Sequence, residues 1–457
     1  METTQKNFYE CIIIGAGFAG LSVASSLQHQ NITDIILFNS KTSCGKPWME
    51  RYERLHLHTV AKESEFFGYP FPPEYGAYAS REQFANYLDN SAKKMKLNIK
   101  HNHLVTKIEK YSNQQQQHQQ MKKISWKISV QNNNLTSTDN TLSSSASCSY
   151  YYCNNLIVAV GVFDQNMPKM PKYEGMKSFI ENRGRKRLIH AVNYSSTKTL
   201  GWKGLKVLVV GYGNTGSEIA LDVIEGGGYP TSLIRSPIRL INREDYGRFR
   251  NMPYHPILKQ ILPYDPYTNK LPEYIWKYFC QFFDMISYIV TRYRYGSIVD
   301  KHGIQIDKVG PIMGLEYEHV GPPLMDLGTM EKINDGECKV ITSNITRLNA
   351  TGVEFENGTV KEFDAIVFAT GYIAFTNFFN VFGKEMINEI GIENIINAGT
   401  TGHKVKDSNH LWISFGGLPM MRHQAIVIVD EIVKSDNYKN SNKDGMKKNV
   451  TRKRSSL

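Results

Sequence analysis

The chain has 457 residues and a formal net charge of +11, with 54 Lys and Arg against 43 Asp and Glu. With 41% hydrophobic residues, 11% aromatic residues and 35 glycines, it can build two or three domains with large cores, which excludes a peptide scaffold and a disordered chain. Its six cysteines, at 11, 44, 148, 153, 280 and 338, are too few and too scattered for a disulfide framework or a zinc site of paired CxxC units. They fit a reducing compartment, and no metal is expected.

The start, METTQKNFYECIIIG, lacks the basic flank and long apolar core of a secretory signal, so a cytoplasmic protein is expected. CIIIGAGFAGLSVASSL (11–27) then reads as a buried strand, a glycine turn and a helix, and DIILF (34–38) as the strand that returns beside it. In Gly15-Ala-Gly17-Phe18-Ala19-Gly20 the first glycine permits the tight turn, the second lets the backbone approach a pyrophosphate and the third allows close helix–strand packing. The position that meets the adenosine ribose, 24 residues past the first glycine, holds Asn39, where an acid normally accepts from both hydroxyls.

NQQQQHQQ (113–120) and the Asn-, Ser- and Thr-rich stretch at 131–147 make a polar low-complexity insert, about 112–147, expected as a long disordered hairpin that could be shortened without loss of fold. KISWKISV (123–130) and YYYCNNLIVAVG (150–161) alternate or run apolar as strands do.

VLVVGYGNTGSEIALDVI (207–224) with TSLIR (231–235) repeats the first design, so the chain carries two dinucleotide-binding units. Its turn is Gly211-Tyr212-Gly213-Asn214-Thr215-Gly216, and the ribose position holds Arg235 followed by Ser236, a pair that favours a 2′-phosphate and hence NADPH over NADH. The aromatic stretch Tyr274–Tyr295 is expected as core or channel lining, with an interfacial helix as the alternative. A further strand, FDAIVFATGY (363–372), is expected to return to the first domain and make it discontinuous. Basic residues cluster at 183–187 and in the tail 436–457, where solvated charge is the expectation, peripheral membrane contact the alternative and nucleic acid not a partner.

These segments together resemble the flavin-containing monooxygenases, class B flavoprotein monooxygenases, and within them the plant YUCCA-type branch. Trp48 through Arg51-Tyr52-Glu-Arg54-Leu-His56-Leu-His58 is similar to that family's W…(K/R)Y(D/E)RLxLH segment. Pro70-Phe-Pro72, Ser80-Arg81, Leu233-Ile-Arg235-Ser236 and the FATGY ending at Gly371-Tyr372 continue the match. The resemblance implies an α/β fold of two Rossmann-like domains, the NADPH domain (195–350) inserted between the parts of an FAD domain (8–178 and 351–435). It implies FAD on Gly15, Gly17, Phe18, Ala19, Gly20, Asn39, Trp48, His58, Gly161 and Gly371. NADPH would lie on Gly211, Tyr212, Gly213, Asn214, Thr215, Gly216, Arg235 and Ser236, with His190 and Tyr194 positioning it. The implied reaction inserts one atom of O₂ into a small organic substrate through a flavin C4a-hydroperoxide. It would be N- or S-oxygenation, or oxidative decarboxylation of an aryl 2-oxo acid.

The sequence departs from the family at three points. The motif FxGxxxHxxx(Y/F) is half present: His190 and Tyr194 fit, but Phe179 lies 11 residues before His190. Val160 replaces the Thr of the first ATG-like turn, and no catalytic residue can be carried over. A flavin-dependent disulfide reductase using Cys148 and Cys153, and a non-catalytic flavin or nucleotide sensor, stand as alternatives.

Overall fold

The computed structural model describes residues 6–111, 125–133, 148–251, 273–316, 322–408 and 410–435. The basic tail lies outside them. Phe8–Ile14, the run FYECIII, pairs in parallel with Ile35–Asn39 on one side and Cys148–Val158 on the other. Strands covered on both faces read as continuous apolar runs, and IILFN is buried at all five positions. The helix Phe18–His29 covers one face and packs against the late helix Leu418–Lys434. The sheet order is Ile99–His101, Ile35–Asn39, Phe8–Ile14, Cys148–Val158, Trp126–Asn132, His103–Lys110, with Leu411–Ile413 pairing the last residues of Cys148–Val158.

The expectation of an expendable insert over 112–147 is corrected by this sheet. Trp126–Asn132 lies between His103–Lys110 and Cys148–Val158, antiparallel to both. Trp126, Ile128 and Val130 alternate with polar residues and are buried, as period-2 patterning against a core requires. The strand read at 123–130 is thus integral to the sheet, although its polar flanks, outside the described residues, gave the whole segment the composition of an expendable insert.

The second sheet is wholly parallel, in the order Lys339–Ile341, Tyr229–Leu233, Lys206–Val210, Ala365–Phe368, Leu188–His190. The strand at 363–372 therefore belongs here and does not return to the first sheet. An apolar run such as AIVF fits either parallel sheet equally well, so its own residues do not say which. The return is made later, by Leu411–Ile413 and the helix Leu418–Lys434, and the second sheet begins with Leu188, ahead of the expected 195. Phe163–Pro168 and Tyr372–Ala374, which follow the central strands of the two sheets, pair antiparallel and tie the halves together.

The aromatic stretch forms part of one long helix, Glu273–Lys301. Cys280, Asp284, Thr291, Tyr295 and Ile298 are its buried face, but Tyr278, Phe282, Met285, Ile289 and Tyr293 are exposed. The expectation of a core helix thus holds for one face only. Among the described residues no helix is long and apolar enough to cross a membrane.

Candidate functional site

The two glycine turns differentiate their three glycines by physical role. Gly15 has φ +100°, and a Cβ there would collide with the carbonyl of Ala159 at the end of the neighbouring strand. A Cβ on Gly20 would strike the Gly15 carbonyl oxygen, so that glycine lets the helix pack on the turn. Around Gly17, by contrast, an added Cβ meets nothing within 4 Å. Gly17 is also the N-cap of Phe18–His29, and no side chain caps it. The first helical N–H groups therefore face an open space suited to a phosphate. Gly211, Gly213 and Gly216 repeat the pattern: φ +100° against the Ala369 carbonyl, open space at Gly213, and a collision with Gly211 at Gly216. Gly213 likewise opens Asn214–Glu225 without a side-chain cap.

Within the turns, the side chains and the backbone do different things. Phe18 and Ala19 are buried in the first core, Phe18 stacked on Phe66 with centroids 4.9 Å apart. Tyr212 is buried against Met330. Asn214 donates to the Pro323 carbonyl at 3.1 Å and accepts from the Met325 N–H at 2.7 Å, tying Leu324–Asp326 to the helix start. The side chains of Phe18, Ala19, Tyr212 and Asn214 are thus engaged within the protein, and what these turns leave open is backbone. Gly161 and Gly371, both at φ +79°, sit at equivalent ends of the central strands. Gly371 lies two residues past Ala369, the neighbour of Gly211, and its carbonyl accepts from the Lys169 N–H at 2.9 Å, so it stands where the two halves meet.

At the strand ends, Asn39 is buried and held by its neighbours. Its Nδ2 donates to the Ser43 carbonyl at 3.0 Å and lies 3.0 Å from His101 Nδ1, and its Oδ1 accepts from Lys41 N–H at 3.3 Å. Arg235 and Ser236 are exposed where Tyr229–Leu233 ends.

The segment from Trp48 to His58 bridges the halves. Trp48 meets Phe84 edge-on, with centroids 4.6 Å apart. His58 Nε2 donates to Glu218 Oε1 at 2.7 Å, and Glu218, on the helix after the second glycine turn, is fully buried. His58 is therefore an anchor between the segment that bridges the halves and the helix of the second unit. Arg54 holds Glu225 through two bonds of 2.8 and 2.9 Å. Burial first, and then the Glu218 charge, push the Tyr52 phenol well above its ordinary range. Tyr52, Arg51 and Glu50 line a cleft with Ala191, Val192, Thr215 and Tyr372, bringing the bridge against the second turn. Sequence reasoning missed Tyr52 and Glu218 as a junction. An acid on the otherwise apolar face of SEIALDVI was the available signal.

His190 and Tyr194, expected to position the second dinucleotide, are both held by protein partners. His190 Nδ1 accepts from Val192 N–H at 3.1 Å, so the proton sits on Nε2, which donates to the Gly371 carbonyl at 3.0 Å. Burial lowers the His190 pKa, favouring this neutral form. Its role is to brace the turn beside Gly211. Tyr194 is buried, and its hydroxyl bonds Thr197 and Asp222. Asp222 is eight residues along the helix from Asn214, roughly 12 Å from the phosphate end. Tyr194 is a buried core residue at a preserved motif position. All six cysteines are free, and Cys148 and Cys153 lie on opposite faces of one strand, exposed and buried respectively. Burial, first among the causes, raises the Cys153 thiol well above its usual range, which makes it a poor nucleophile. Among the described residues no cluster could hold a metal.

Comparison with known proteins agrees with this geometry. Residues 9–246 match the family described as pyridine nucleotide-disulphide oxidoreductase. A probable indole-3-pyruvate monooxygenase of Arabidopsis thaliana, YUCCA10, is 31% identical over 370 residues, covering 79% of this chain and 81% of its own. YUCCA3 of the same plant is 29% identical over 366 residues, covering 79% and 72%. Among solved structures, a flavin-containing monooxygenase from Stenotrophomonas maltophilia superposes with TM-score 0.59 at 15% identity, covering 93% of this chain and 98% of its own. An NADP⁺-bound cyclohexanone monooxygenase from Rhodococcus sp. Phi1 gives 0.62 at 17%, covering 96% and 86%. With two Rossmann-like units and a relative this similar over most of both chains, the protein belongs to the flavin-containing monooxygenase family of oxidoreductases.

Proposed function

We propose that the chain is an FAD- and NADPH-dependent monooxygenase that places one atom of O₂ into a small organic substrate. The observation that carries this reading is the pair of glycine turns, each with open space at its middle glycine and an uncapped helix start behind it. In this reading the N–H groups after Gly17 bind the FAD pyrophosphate, with Asn39 at the ribose. Those after Gly213 bind that of NADPH, with Arg235 and Ser236 at its 2′-phosphate. When bound and reduced, the flavin supplies the activation of O₂. The protein's residues supply orientation: the His58–Glu218 and Arg54–Glu225 pairs fix one half against the other, and His190 braces the second turn through the Gly371 carbonyl.

Substrates of two kinds fit the family, soft N or S centres and aryl 2-oxo acids that lose CO₂. The relatives named indole-3-pyruvate monooxygenases favour the second. Turnover under ¹⁸O₂ with an aryl 2-oxo acid and, separately, with a thioether and a tertiary amine tests both. One ¹⁸O atom in the product of either class, with stoichiometric NADPH consumption, supports the monooxygenase reading. Release of all the oxygen as peroxide with every substrate would refute it.

A further inference from the structure

We infer that His101 is a positioning residue for the adenosine ribose of the cofactor in the first unit, acting through Asn39. The inference rests on the reading of the Gly15–Gly20 turn as the FAD site.

The argument begins with what an amide loses relative to an acid. A carboxylate at the end of the second strand accepts hydrogen bonds through either oxygen, whichever way it is turned. Asparagine has one accepting and one donating end, so its usefulness to a ribose hydroxyl depends on which end is presented. In this protein the orientation is fixed by partners of unambiguous character. The Ser43 carbonyl can only accept, so it must face Nδ2, and the Lys41 N–H can only donate, so it must face Oδ1.

His101 completes the arrangement. Ile99–His101 lies beside Ile35–Asn39 in parallel, with His101 directly opposite Asn39. Its Nδ1 is 3.0 Å from Asn39 Nδ2. Because Nδ2 is a donor, Nδ1 must accept, which places the imidazole proton on Nε2. The two Nδ2 hydrogens are then both engaged, by Ser43 and His101. One lone pair of Oδ1 remains beside the Lys41 contact, and it can receive a single ribose hydroxyl. The loop carrying these partners is itself held, since Asn102 N–H donates to the Lys41 carbonyl at 3.1 Å and His103 Nδ1 lies 2.7 Å from the His101 carbonyl. A neutral Asn thus serves where an acid would ordinarily stand, because the neighbouring strand supplies an acceptor that locks it.

The test is the dissociation constant of FAD for the apo-protein, read by flavin fluorescence, in His101→Ala, Asn39→Ala, the double variant and His101→Asn. His101→Ala is expected to weaken FAD about 3- to 10-fold, as loss of one neutral hydrogen bond does. Added to Asn39→Ala it should cost less than about twofold more, because it acts through the residue already removed. His101→Asn, whose Oδ1 stands where Nδ1 was, should stay within about twofold of the parent. No change in His101→Ala, full additivity in the double variant, or no rescue by His101→Asn would each overturn the inference while leaving the FAD site intact. If Asn39→Ala keeps full affinity, the ribose contact falls and the inference with it. If Gly17→Val still retains FAD, the reading of the site itself fails.

Discussion

His58→Ala tests the junction between the halves. Glu218 is fully buried on the second unit's helix, its Oε1 bonded to His58 Nε2 at 2.7 Å and its carboxylate near the Tyr52 phenol. Removing His58 would leave a buried carboxylate short of its main partner, and an unsatisfied buried charged acceptor costs upwards of about 1–3 kcal/mol. Glu218→Gln removes the charge and keeps an oxygen that can still accept from Nε2, so about 1–2 kcal/mol is expected. Combining the two substitutions should cost clearly less than their sum, because the uncompensated charge is gone. Urea unfolding of the apo-protein, followed by tryptophan fluorescence, measures all three. The reasoning is refuted if His58→Ala destabilises by less than about 0.5 kcal/mol, the size of an ordinary surface change.

Trp126→Ala should destabilise by about 3–5 kcal/mol, the usual cost of emptying a large buried aromatic site, and deletion of 114–145 should yield insoluble protein. A soluble, flavin-bearing deletion variant would return that strand to an expendable insert. Arg235→Ala should weaken NADPH about 10- to 100-fold and NADH little, as loss of a charge-assisted bond to the 2′-phosphate implies; an equal loss for both cofactors, measured by flavin reduction, would remove the argument for NADPH. Burial works to raise the Glu431 carboxyl, but bonds from His403, Trp412 and the Lys404 N–H outweigh it and hold it below its ordinary value. A depressed folded-state pKa contributes stability that is present above the unfolded-state value and is lost as pH falls through the folded one. The thermal midpoint of the parent should therefore drop more steeply on acidification through the carboxylate range than that of Glu431→Gln, and parallel profiles would contradict this.

Much of this architecture was legible in the sequence because it depends on local chemistry. Each glycine turn announces itself by spacing between a strand and a helix, and the structure gives its first and third glycines a steric reason and leaves open space at the second. What could not be read was which sheet an apolar strand joins: AIVF and LWI are equally buried, and only the pairing of Ala365–Phe368 with Lys206–Val210 and of Leu411–Ile413 with Cys148–Val158 separates them. Contacts between distant segments were equally hidden. His58 and Glu218 are 160 positions apart, so nothing local to the motif histidine announced its partner on a helix of the other unit. Tyr194 shows the converse, a residue that fits a family motif while its hydroxyl is buried on Asp222. The alternation of KISWKISV was legible as a strand, but not that its pairing on both sides makes it integral to the first sheet.

The central claim is that the two turns hold two different dinucleotides. Flavin absorbance of purified Gly17→Val and Gly213→Val, recorded side by side before and after anaerobic addition of NADPH, tests it most directly. Both positions have open space where a ligand would lie, so each side chain should expel its own cofactor without disturbing the fold. The account predicts a colourless Gly17→Val protein and a yellow Gly213→Val protein that NADPH no longer bleaches. A yellow Gly17→Val protein, or a Gly213→Val protein still bleached at the parent's rate, would contradict it.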